Sequence, residues 1–134
     1  MKYILIVLAF LAMSCNNKAE DAHAHNPDGS HEGEEIPRLD HTIWTDKTEL
    51  FVEFPALIVG NPSRFAAHFT VLEKHQPVRE GSVTVSLIKG NNGIRNTAEA
   101  PSSPGIFSPT IQPKEVGSYQ LVFELKTPDY SDKI

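Results

Sequence analysis

Hydrophobic and polar residues alternate with a period of two in four separate stretches of the chain. Leu50, Val52 and Phe54 alternate with Phe51 and Glu53, and Phe65, Ala67, Phe69 and Val71 alternate with Arg64, Ala66, His68 and Thr70. Val83, Val85 and Leu87 alternate with Ser82, Thr84 and Ser86, and Tyr119, Leu121, Phe123 and Leu125 share a fourth face. That period places successive side chains on opposite faces of a strand, so each stretch is predicted to bury one face. Between them lie residues that break or reverse a strand: Pro55, Gly60-Asn61-Pro62, Lys74-His75-Gln76-Pro77, and Gly90-Asn91-Asn92-Gly93. Ile94 to Thr97 is predicted as a short edge strand and Ala98 to Pro104 as a stiff loop. Ile106 to Ile111 is predicted as a strand interrupted at Pro109. No stretch after Trp44 carries a helical period. About six or seven short strands over about 90 residues predict an all-β fold, a small antiparallel sandwich. Order is expected to begin at Trp44, the only Trp, as a mostly buried plug for one end of the core.

Gly117-Ser118-Tyr119 enters the last patterned strand after a Pro-containing turn. It resembles the tyrosine corner of immunoglobulin-like sandwiches, which implies an immunoglobulin-like arrangement for residues 44–134.

The first residues follow another pattern. Lys2 precedes an apolar run from Tyr3 to Ala12, shorter than the roughly 20 residues needed to span a bilayer, and residues 1–14 are predicted as a secretory signal peptide. Leu11-Ala12-Met13-Ser14-Cys15 resembles a bacterial lipobox, and Cys15 is the only cysteine, so it has no partner in its own chain for a disulfide. Cys15 is therefore expected to carry lipid, with more than one acyl chain giving stable attachment. The expected location is the periplasm, lipid-anchored, with the inner membrane favoured over the outer.

Residues 15–43 hold few large aliphatics, Ile36, Leu39 and Ile43, among Asp, Glu, Asn, Gly, Pro and His. This composition predicts a flexible tether with a reach of roughly 30 Å. Four of the six histidines lie in it, His23, His25, His31 and His41, among carboxylates that include Asp21, Asp28, Glu32 and Glu34. His23, His25, His31 and Glu32 are the candidate metal ligands, with a turn at Asn26-Pro27-Asp28-Gly29. Imidazole with carboxylate suits Zn²⁺, Cu²⁺, Ni²⁺ or Co²⁺. Both methionines, Met1 and Met13, fall in the signal, which disfavours selective Cu(I) binding. Without a preformed scaffold, capture would be weak and exchangeable. The alternative is a polar tether with no metal role. His68 and His75 are expected to be a solvent-side strand residue and a turn residue.

The formal net charge of -5, without a Lys/Arg cluster, lacks the electrostatic footprint of a nucleic-acid binder. Ser82, Ser86, Ser102, Ser103 and Ser118 lack a G-x-S-x-G setting, and no histidine is paired by spacing with a nucleophile. No enzyme is expected.

Four segments, WTDKTELFVEFPALIVGNPSRFAAHFTVL, EGSVTVSLI, APSSPGIFSP and GSYQLVFEL, resemble the N-terminal region of periplasmic adaptor subunits. These are the membrane fusion proteins of metal-type resistance-nodulation-division efflux pumps. The resemblance runs from Trp44 to Ile134 and implies an envelope lipoprotein acting in metal cation export, with pump components as partners. Adaptors of this kind continue into a helical hairpin, a lipoyl-like barrel-sandwich and a β-barrel. The chain is thus expected to be the front part of an adaptor, a truncated form, or a free-standing relative. The second expectation is a structural or interaction lipoprotein with an immunoglobulin-like domain.

Overall fold

The structure is a computed structural model that describes residues 35–134. The described residues are all-β, with antiparallel pairing throughout. One sheet contains β1 (Arg38–Trp44), β2 (Thr48–Pro55), β4 (Ala66–Val71), β5 (Gln76–Pro77) and β8 (Ile106–Phe107). The second has the order β11 (Ser131–Lys133), β10 (Gln120–Lys126), β6 (Ser82–Lys89), β7 (Asn92–Ala98). A small ladder joins β3 (Ser63–Arg64) to β9 (Thr110–Ile111).

The strand order is immunoglobulin-like. β2, β4 and β8 take the places of A, B and E, while β7, β6, β10 and β11 take those of C′, C, F and G. β1 is an addition on the open side of β2.

The alternating stretches supply the core from both sheets. Leu50, Val52, Phe54, Ala67 and Phe69 face Val83, Val85, Leu87, Phe123 and Leu125, all buried. Phe65 joins the sheets: its ring centroid lies 4.8 Å from that of Phe54 and 5.7 Å from that of Phe123, the latter edge-on. Phe69 meets Phe107 edge-on at 5.8 Å. Burying each such side chain contributes about 1.5–3 kcal/mol relative to exposure, so these rings dominate the packing. Pro109 interrupts the 106–111 segment as expected. It splits that segment into β8 and β9, and its carbonyl accepts the Phe65 N–H at 2.9 Å.

Two sequence expectations require correction. Order does not begin at Trp44: β1 starts at Arg38, inside the segment expected to be tether, and pairs along its whole length with β2. The physical reason is the free ladder edge of β2, beside which Leu39, His41 and Ile43 take the core-facing side. Nor is Trp44 a buried plug, since it is 61% exposed. It pairs with Glu49, whose neighbours Thr48 and Leu50 point inward, so register sends Trp44 to the outer face. Its indole N–H donates to Glu49 Oε2 at 2.7 Å. The core closes at that end through Thr48, fully buried, with Oγ1 3.1 Å from the Tyr130 hydroxyl.

Candidate functional site

The candidate ligands His23, His25, His31 and Glu32, and the lipid attachment residue Cys15, lie outside the described residues. The remaining histidines stand apart from one another. His41 is exposed on β1, its ring 6.1 Å from that of Phe54. His68 is half-buried on the outer face of β4, tilted against Phe51 at 5.6 Å. His75 is exposed in the β4–β5 turn. Among the described residues no group of three His, Cys, Asp or Glu side chains is placed to hold a metal ion.

An apolar groove lies at one end of the sandwich. One wall is the loop that follows β2, and the other is the corner leading from β9 into β10. Leu57, Ile58, Val59, Val116, Tyr119 and Leu121 are among the residues lining its roughly 620 Å³. Ile58, Val59 and Val116 remain 41%, 42% and 81% exposed, so the apolar lining faces solvent. Water bound over such a surface is released when an apolar group covers it, the driving force for association.

Hydrogen bonds hold both walls. The Gly60 N–H donates to the Pro113 carbonyl at 2.9 Å, and the Gln112 side-chain amide donates to the Gly60 carbonyl at 2.6 Å. In the opposite wall the Tyr119 hydroxyl donates to the Glu115 carbonyl at 2.9 Å, the back-bond of a tyrosine corner. Lys89 Nζ donates to the Val116 carbonyl at 3.0 Å, lies 3.5 Å from a Glu115 carboxylate oxygen, and sits 5.7 Å from the Tyr119 ring centroid. The Tyr119 hydroxyl and Lys89 thus hold backbone, the Glu115 carboxylate pairs with Lys89, and most of the remaining lining is aliphatic. This arrangement suits the capture of apolar side chains from a partner.

No protein-family model, curated protein or solved structure matches the chain.

The groove was not anticipated from sequence, although its signal is present. Ala56-Leu57-Ile58-Val59 is an apolar run bounded by Pro55 and Gly60-Asn61-Pro62, and its residues fall outside any strand. Aliphatic residues placed between turn signals have no strand partner to bury them, and here they surface together. Val116, between Glu115 and Gly117, is the same kind of signal on the facing wall.

Proposed function

We propose that the chain is a cell-envelope lipoprotein carrying the N-terminal region of the periplasmic adaptor of a cation efflux pump. Its sandwich acts as a protein-binding module and its His-bearing segment as a weak, exchangeable capture site for divalent cations. The observation that carries the binding-module reading is the solvent-facing apolar groove, with the Tyr119 hydroxyl engaged in holding one wall. The export setting rests on the resemblance of the four segments quoted above. Those segments contain β2, β4 and β8 of one sheet, nearly all of β6 and β10 of the other, and Leu57, Ile58, Val59, Tyr119 and Leu121 of the groove, so the resemblance falls on the central strands of the domain.

Metal capture is tested by calorimetric titration of the mature protein with Zn²⁺, Cu²⁺ and Ni²⁺ beside a His23→Ala/His25→Ala/His31→Ala variant. Weak binding by the wild type and its loss in the variant are expected. Equal heats for the two proteins would remove the tether from metal binding. No heat from the wild type would leave an interaction lipoprotein with an immunoglobulin-like domain, a reading the separation of groove and histidines along the chain also favours.

A further inference from the structure

The edges of the two sheets differ in one respect. β5 and β8 have two residues each and β11 has three, while β7 is approached by β9, where the Thr110 N–H donates to Asn96 Oδ1 at 2.9 Å. β1 is a seven-residue edge paired in continuous register with β2, and among the described residues nothing pairs with its other side. Long sheet edges are commonly blunted by charged side chains, Pro or a bulge; Arg38 to Trp44 holds no Pro or bulge, and its charges are confined to Arg38 and Asp40 at one end.

The bonds flanking β1 determine which backbone groups are free. The Ala56 N–H donates to the Pro37 carbonyl and the Thr45 N–H to the Thr48 carbonyl. Antiparallel ladders alternate bonded and non-bonded pairs, so Leu39, His41 and Ile43 bond to β2. The N–H and C=O groups of Arg38, Asp40, Thr42 and Trp44 therefore point to the open edge.

Side chains set the chemistry on each face. On the core-facing side Leu39 and Ile43 flank His41 and stay 42% and 43% exposed. On the outer face Asp40 lies directly opposite Glu53, in the closer, non-bonded kind of pair, with Glu49 and Trp44 beyond them. Facing carboxylates repel, and Arg38 on the same face offsets only part of that charge.

From this geometry we infer that β1 is a docking edge for an extended segment of another protein, which adds to the sheet as an antiparallel strand. That segment carries apolar residues at alternate positions, to cover Leu39 and Ile43, and a Lys or Arg between them, opposite Asp40. Backbone bonds to the open groups at 38, 40, 42 and 44 hold it, the two apolar contacts set its face, and the basic residue sets its register.

The probe is the end-capped peptide Val-Thr-Val-Lys-Val-Thr-Val, titrated into the mature protein while following emission from Trp44, the only Trp. A saturable change is expected, with weaker binding when Glu replaces Lys. Thr42→Pro removes an open-edge N–H while leaving the ladder to β2 intact, and Pro is tolerated on that side of an edge strand. It is expected to weaken binding about tenfold, the scale of one good hydrogen bond, with the unfolding midpoint retained. Asp40→Lys is expected to reverse the peptide preference and gives an independent measurement should Thr42→Pro not fold. Absence of a saturable change, binding insensitive to Thr42→Pro, or an unchanged preference in Asp40→Lys would each overturn the inference. So would sedimentation showing a dimer of the unliganded protein that Thr42→Pro dissolves, since the edge would then serve a second copy.

Discussion

Gly60 and Gly81 both hold positive φ, at 80° and 118°, yet their surroundings separate what a methyl group would do there. At Gly60 a Cβ would meet nothing within 4 Å, so Gly60→Ala bears only the left-handed backbone cost of about 1–2 kcal/mol, partly offset by a less flexible unfolded chain. At Gly81 the Cβ would overlap the backbone carbonyl oxygen of Lys126, and Lys126 is held in the ladder between β10 and β6. Backbone cannot rotate away as a side chain can. Gly81→Ala is therefore expected to lose about 3 kcal/mol or more, and clearly more than Gly60→Ala, by urea unfolding. Equal losses would show that the ladder beside Gly81 yields easily. Gly60 was legible in sequence as part of the break Gly60-Asn61-Pro62, but the demand at Gly81 was not, because it depends on a strand about 45 residues away. The placement of Trp44 was hidden for a similar reason. Size and apolar character argued for burial, whereas its face is set by pairing with Glu49 in a strand whose start the sequence did not reveal.

At the scale of elements, strands with strict alternation were legible and those without it were not. β2, β4, β6 and β10 follow the expected stretches to within a few residues, because each must bury one face. β11 and β5 are short and polar, and they exist because β10 and β4 offer them ladder edges. β1 was read as tether since Arg38, Asp40 and Thr42 dilute its apolar positions. The corner before β10 was legible from Gly-Ser-Tyr, and its back-bond allows a quantitative test. The bond from Tyr119 to the Glu115 carbonyl lies in an exposed setting, so water can replace it when the hydroxyl is removed. The neighbouring Lys89–Glu115 pair is also exposed and contributes little to stability. Tyr119→Phe, which keeps the ring against Lys89, is therefore expected to lose about 1 kcal/mol. For a domain of this size that lowers the midpoint of thermal unfolding by about 4–8 °C. An unchanged midpoint would show that the corner is held by packing alone.

At the scale of the whole molecule, the proposed lipid anchor at Cys15 can be weighed against other routes to a membrane. Among the described residues no helix is long and apolar enough to cross one. The net charge of -5 would not draw the chain to an anionic lipid surface. The groove exposes Ile58, Val59 and Val116, too few aliphatics to match the many methylenes that an acyl chain buries at about 0.8 kcal/mol each. Membrane attachment is therefore expected to depend on Cys15, where the lipobox-like Leu-Ala-Met-Ser precedes it. Cys15→Ala should move the protein from the membrane fraction to the soluble periplasm, while the wild type stays bound at high salt because the attachment is hydrophobic rather than ionic. If Cys15→Ala remained with membranes in low salt and was released at high salt, charge would be the attachment. If it remained through both, the apolar groove or β1 would have to be held by a membrane-bound partner. Repeating the fractionation with Val116→Asp and Thr42→Pro in the Cys15→Ala background would tell those two surfaces apart.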